Sequence, residues 1–286
     1  MRWTRGLFAL AAVLLLAPAA PAQTPQHVHY QLLADVSAIA PGKPFRLGIK
    51  LTIDPGWHVY WTNPGDAGLP TRVTFTAPDG FTVGDVQYPT PVRIEDPGNI
   101  VMFGYEDSVL LFATVTPPME LPQDFSGKFS ASVKWLVCAD VCIPGKGEDS
   151  IDLPASVTAS PVNTELFDAA ARQVPVEIAQ SPDVDSVQST GAPGPSGSPG
   201  EMELVVTWKH SAPADVQFLP QINDVYNIGP VKVDSSGNTT IMHFNVETLA
   251  GKSSLGQDLS AVVGYVNQAG ERRGVYAPVY TSDRLH

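Results

Sequence analysis

The 286-residue chain has only two cysteines, Cys138 and Cys142. A disulfide-dense small scaffold and a four-cysteine zinc site are thereby excluded. Positive charge is scarce as well: 17 Lys+Arg against 29 Asp+Glu leave a formal net charge of −12. Phosphate binding draws on a Lys/Arg excess, so this balance argues against nucleic acid and against an anionic membrane surface as partners. Charged residues amount to 16%, below the roughly 25% of an average soluble chain. No apolar run reaches the roughly 18 residues of a membrane-spanning helix. There is no Gly-x-Ser-x-Gly, no His-Glu-x-x-His and no phosphate loop, which leaves hydrolase, kinase and dehydrogenase readings without a motif. No sequence repeat links the two halves.

What is present begins with an export signal. Arg2 and Arg5 precede the short apolar stretch Leu7–Leu16, and Ala20-Pro21-Ala22 supplies a small-x-small cleavage site. Residues 1–22 read as a signal peptide and the remainder as an exported protein without direct membrane insertion, in a compartment where disulfides form. With 24 Gly and 27 Pro, turns and short strands are favoured over long helices. Phe45, Leu47, Ile49, Leu51 and Ile53 alternate with polar residues, the period of a half-buried strand. Similar runs at 72–76, 81–88, 109–115 and 127–137 are separated by Pro/Gly turns such as Asp54-Pro55-Gly56. The pattern predicts an all-β fold, a β-sandwich over 23–158. Asn163–Arg172 reads as one short helix capped by Asn163. It forms a connector over 159–180, followed by a Pro/Gly/Ser-rich linker at 181–200. Runs at 202–209, 217–220, 231–234, 239–246, 259–266 and 274–279 predict a second, smaller β domain over 201–286.

The most informative stretch is Val133-Lys-Trp-Leu-Val-Cys138-Ala-Asp-Val-Cys142-Ile-Pro-Gly145. Strand phase puts Phe129, Ala131, Val133, Trp135 and Val137 on an apolar face and Cys138 on the opposite one. If Ala139–Val141 form a hairpin loop, the cysteines oppose each other. Directly opposed Cβ atoms lie about 4.5–5.5 Å apart, and a disulfide needs about 3.5–4.5 Å. A bridge is therefore feasible with slight adjustment. Closing so short a loop stabilises a fold by about 2 kcal/mol at most. A chain of this size does not need that staple, but the spacing alone leaves a hairpin clip and a redox pair equally open.

These residues resemble the N-terminal periplasmic domain of DsbD, and more closely that of ScsB-type relatives. The resemblance spans about 28–158. It is carried by Asp54-Pro-Gly-Trp-His-Val-Tyr-Trp61, Asn63-Pro-Gly-Asp-Ala-Gly68, Tyr88-Pro89, Phe103-Gly-Tyr105 and Trp135-Leu-Val-Cys-Ala-Asp-Val-Cys-Ile-Pro144. It implies an immunoglobulin-like sandwich with Cys138 and Cys142 as an exchangeable pair and no bound cofactor. The pair would pass electrons to or from thioredoxin-like periplasmic proteins by way of a mixed disulfide. Cys142 is the candidate for the attacking thiol and Cys138 for the resolving one, although the sequence does not separate the two roles. The resemblance also implies a cap loop shielding the pair, assigned to Met102, Phe103 and Tyr105. His58, Tyr60, Trp61 and Asp140 are the candidates for partner docking. DsbD and ScsB proteins continue into transmembrane helices and a thioredoxin-like domain. This sequence ends at His286 with neither, so a separate DsbD-like membrane thiol transporter is an expected partner. Residues 201–286 resemble the extra β domain of ScsB-type N-terminal regions.

Two other readings stay open. One is a binding or scaffold protein whose bridge is only a hairpin clip. The other is a Cu(I) carrier, since two soft thiolates suit that ion and Cys-x3-Cys followed by Pro is similar to the motif of Sco-type copper proteins. His27-x-His29 is an incomplete ligand set, so no metal site is assigned.

Overall fold

The structure, a computed structural model, describes residues 26–122, 124–158 and 160–282. The signal peptide and its cleavage site lie outside the described residues. The first half holds β1 (Val28–Ala34), β2 (Phe45–Ile53), β3 (His58–Gly65), β4 (Arg72–Thr76), β5 (Thr82–Val83), β6 (Val92–Asp96), β7 (Ile100–Tyr105), β8 (Ser108–Thr116), β9 (Ser126–Cys138) and β10 (Cys142–Pro154). The sheet β1-β2-β8-β5 packs against the sheet β10-β9-β3-β7-β6, with β4 also paired to β9. Their facing residues form one core, including Leu47, Ile49 and Leu51 from the predicted alternation and Phe129, Val133 and Trp135 from β9. This is the all-β sandwich that the period-two pattern predicts, of the immunoglobulin-like kind that the resemblance implies. Of the predicted run 81–88, only β5 and a bridge from Gln87 to Phe112 are paired.

Helix α1 (Thr164–Gln173) follows, and it buries Phe167 and Ala170 against Leu110 and Phe112 on the outer face of the first sheet. Arg46 ties it down by ion pairs to Asp35 and Asp168. Asn163 holds the N-cap position, but the side-chain cap expected from sequence is not made; its amide donates instead to the Ala34 carbonyl at 2.9 Å.

The second half comprises β11 (Val184–Gly191), β12 (Gly200–Trp208), β13 (Val216–Pro220), β14 (Tyr226–Ile228), β15 (Lys232–Ser236), β16 (Thr239–Thr248), β17 (Leu259–Val266) and β18 (Arg272–Tyr280). They form the sheets β11-β12-β16-β14, with β15 on β16, and β13-β17-β18 around a second core. The linker expected at 181–200 is corrected here. Residues 184–191 are the edge strand β11, paired antiparallel with β12. Val184 is its one buried apolar residue, so backbone pairing holds a segment whose composition reads as a loop.

The two halves share packed surface. Leu219 and Val262 from the second are fully buried in the core of the first. Arg272 donates to the Pro91 carbonyl at 2.7 Å and pairs with Asp215. Gln217 accepts the Arg93 amide of edge strand β6 at 3.0 Å, and Asn63 reaches the Pro220 carbonyl at 2.8 Å. Leu219→Ala is expected to cost about 2–5 kcal/mol, the range for truncating a buried Leu. Urea unfolding followed by fluorescence checks this; a loss under about 1 kcal/mol would mean that the halves are not packed as described.

Candidate functional site

Cys138 ends β9 and Cys142 begins β10, and the two are register partners across the Ala139–Val141 turn. They are joined as a disulfide, with their Cα atoms 4.2 Å apart. Their environments differ sharply. Cys138 is 2% exposed, whereas Cys142, Val141 and Asp140 are exposed. Strand phase turns Cys138 away from the main core, as its sequence position predicts. It is buried nonetheless, because a second layer covers that face.

This layer is a small cluster of Tyr60, Met102 and Cys138, with Ile94 and Leu136 packed against it. Met102 comes from β7, where period two sends Met102 to this side and Phe103 and Tyr105 into the sandwich core. Of the three expected cap residues, then, Met102 packs on Cys138. Phe103 is core, and Tyr105 is core with its hydroxyl on the Pro89 carbonyl at 2.7 Å. Burial raises the Tyr105 phenol well above its ordinary range. The loop after β3 completes the cover. Gly68 lies flat on the Tyr60 ring with φ +101°, a left-handed conformation and a close approach that only glycine accommodates. Asp66 clasps β7 twice, through its own amide to the Val101 carbonyl and through its carboxylate from the Val101 amide, each at 2.8 Å.

His58 begins β3 directly opposite Cys138 in the antiparallel register, and it is 6% exposed. Its Nε2 lies 3.3 Å from the Tyr60 hydroxyl, which donates to Met102 Sδ at 3.5 Å. Burial lowers the His58 pKa, against the opposing pull of Asp96 and Glu106, and raises that of Tyr60. Both groups are neutral at pH 7. The four docking candidates thus separate. His58 and Tyr60 line the buried side of the pair, Asp140 stands exposed in the turn, and Trp61 is buried in the sandwich core. The β3–β7 register breaks between Tyr60 and Gly65, which is where Asn63 leaves the sheet to reach the second half. Strand phase could have found Met102 as the sole cap residue of β7. Nothing in the sequence marks the coverage of His58.

No group of three or more His, Cys, Asp or Glu among the described residues could hold a metal ion. His27 stacks on Trp57 with ring centroids 3.7 Å apart and pairs with Asp54 at 3.0 Å.

Fold and site together define an immunoglobulin-like β-sandwich with a disulfide at a hairpin end, one cysteine open to solvent and the other sealed beneath it. Residues 28–154 match the family described as thiol:disulfide interchange protein DsbD, N-terminal. Over nearly the whole chain the fold resembles the N-terminal periplasmic domain of ScsB from Proteus mirabilis. The TM-score is 0.62 at 19% identity, covering 93% of this chain and 97% of that one. A protein of unknown function from Porphyromonas gingivalis W83 (TM-score 0.26, 11% identity, covering 89% and 100%) and the periplasmic chaperone SfaE (0.22, 10%, covering 87% and 100%) align too loosely to carry any argument. No curated protein matches the chain. Among the described residues, no helix is long and apolar enough to cross a membrane.

Proposed function

We propose that the chain is a periplasmic thiol–disulfide exchange module. It relays electrons through Cys138 and Cys142 to or from thioredoxin-like proteins. The observation that supports this best is the asymmetry of the pair. Exchange needs one sulfur within reach of a partner and a second held back to close on it. Exposed Cys142 suits the first role and buried Cys138 the second. A clip with only a structural role has no use for a cover of Met102, Tyr60 and the 65–69 loop over one sulfur. The match of residues 28–154 to the interchange family points the same way.

The geometry supports the following mechanism. In the reduced form the Cys142 thiolate attacks a partner disulfide, forming a mixed disulfide and releasing one partner thiolate. Cys138 then attacks Cys142 Sγ, the internal disulfide closes, and the second partner sulfur leaves with the electron pair. The reverse sequence accepts electrons. The exposed turn Ala139–Val141 offers the approach, since the opposite side of the pair is filled.

The reduction potential tests this reading. Equilibration with glutathione and thiol trapping read by mass spectrometry is expected to give about −180 to −270 mV, the span of known exchange proteins. A value well below about −300 mV would identify a structural clip and overturn the proposal.

A further inference from the structure

Closure on the mixed disulfide requires Cys138 to lose a proton in a place that water does not reach. Cys138 and the residues around it, His58, Tyr60 and Met102, are each 6% exposed or less. A buried thiol with apolar neighbours resists ionisation, so a proton acceptor must lie within the cover itself. His58 is the candidate that the fold puts there. It is the register partner of Cys138, and directly opposed residues carry their Cβ atoms on one face about 4.5–5.5 Å apart.

The hydrogen bonds fix its tautomer. Tyr60 has one hydroxyl proton, and Met102 Sδ can only accept it. The 3.3 Å contact between His58 and Tyr60 is then made by Nε2–H donating to the phenol oxygen. Nδ1 is left as the basic nitrogen. The charges that face the ring are Asp96 on β6 and Glu106 just beyond β7, and both favour the protonated form. Burial opposes them and prevails, so the imidazole rests neutral and free to accept.

We infer that His58 takes the proton of the Cys138 thiol as Cys138 closes on a mixed disulfide at Cys142, and returns it when a partner thiolate opens the pair. The inference rests on the exchange function proposed above. In the closing step the S–H proton passes to Nδ1 and the Cys138 sulfur attacks Cys142 Sγ. The Cys138–Cys142 bond forms, the Cys142–partner bond breaks, and the electron pair leaves on the partner sulfur. Over the full cycle the chain loses two electrons and the partner disulfide gains them. Tyr60 acts as a positioning residue that holds the ring by Nε2–H. The residue pattern Trp57-His-Val-Tyr-Trp61 thereby acquires a division of labour: Val59 and Trp61 build the core, while His58 and Tyr60 serve the pair.

The test uses the full exported chain with its pair reduced, mixed with 5,5′-dithiobis(2-nitrobenzoate). One thionitrobenzoate leaves when Cys142 attacks and a second when Cys138 closes. His58→Gln is expected to lower the ratio of second to first release rate at pH 7 by about 10- to 100-fold, at the lower end of general-base effects. The deficit should shrink as the pH is raised, since alkali increasingly ionises the thiol without help from the ring. Tyr60→Phe keeps the ring and the cover and should give a smaller loss with the same pH trend. A wild-type ratio in His58→Gln, or a loss that is equal at every pH, would overturn the assignment. If His58→Gln fails to fold, an unchanged ratio in Tyr60→Phe overturns it instead. A wild-type protein that releases no thionitrobenzoate at all would sink the exchange function and this inference with it; normal release with an indifferent His58 sinks only the inference.

Discussion

A Cys138→Ala variant is expected to hold a stable mixed disulfide with glutathione on Cys142, while Cys142→Ala is modified at Cys138 at least about 100-fold more slowly. The difference follows from burial. Cys142 stands exposed at the start of β10, so a reagent reaches it in the native state. Cys138 is 2% exposed under Met102 and Tyr60, so modification awaits an opening of the cover. A hundredfold slowing corresponds to an opening cost of about 2.8 kcal/mol, well within the range of local unfolding. Oxidised glutathione followed by intact mass over time, on both variants at one pH, reads the ratio directly. Equal rates would show that the cover does not shield Cys138. A faster Cys138 would reverse the roles of the two sulfurs.

The second large effect concerns the strand that carries the cover. Gly104→Ala is expected to destabilise the fold by about 3 kcal/mol, the upper part of the range for overpacking, and to speed the modification of Cys138 in a Cys142→Ala background. Gly104 pairs with Tyr60 across β3–β7 and with Val92 across β6–β7. A Cβ at this position would strike the Val59 carbonyl oxygen. That atom is backbone in a paired strand, so no side-chain rotation relieves the contact. β3 and β7 must separate, and Met102, two residues back, moves off Cys138. Urea unfolding gives the first effect and alkylation kinetics the second. A variant with wild-type stability and unchanged alkylation would show that β7 does not hold the cover in place.

Most of the sandwich is legible in the sequence because a half-buried strand writes its period into the order of its residues. Phe45–Ile53 and Gly127–Val137 show this plainly. Where one face is not apolar, the signal fails. β10 alternates Gly, Lys, Glu and Asp, and its thirteen-residue pairing with β9 rests on backbone hydrogen bonds rather than on side-chain burial. β11 is lost in a Ser/Gly/Pro-rich stretch for the same reason. The cysteine site divides along the same line. The facing of Cys138 and Cys142 follows from the turn length, and the turning of Cys138 away from the core follows from strand phase. Its burial follows from neither, since the cover comes from β3, β7 and the 65–69 loop. The resemblance places Phe103 and Tyr105 in the cap, and Trp61 is a docking candidate because aromatics suit both cores and binding surfaces. Their strand phase, read strictly, sends Phe103 and Tyr105 to the side opposite Met102.

The contact of Gln217 and Arg272 with the β6–Pro91 margin has a meaning beyond the union of the two halves. A sheet that ends in an open strand presents unpaired amides and carbonyls, a template on which another chain can add. Here the Arg93 amide and the Pro91 carbonyl are already taken by side chains of the second half. A side chain satisfies the hydrogen bond without offering a further strand, so the sheet stops growing at this margin. The second half thus leaves fewer backbone groups open at this margin, on the strand whose Ile94 packs beside Cys138.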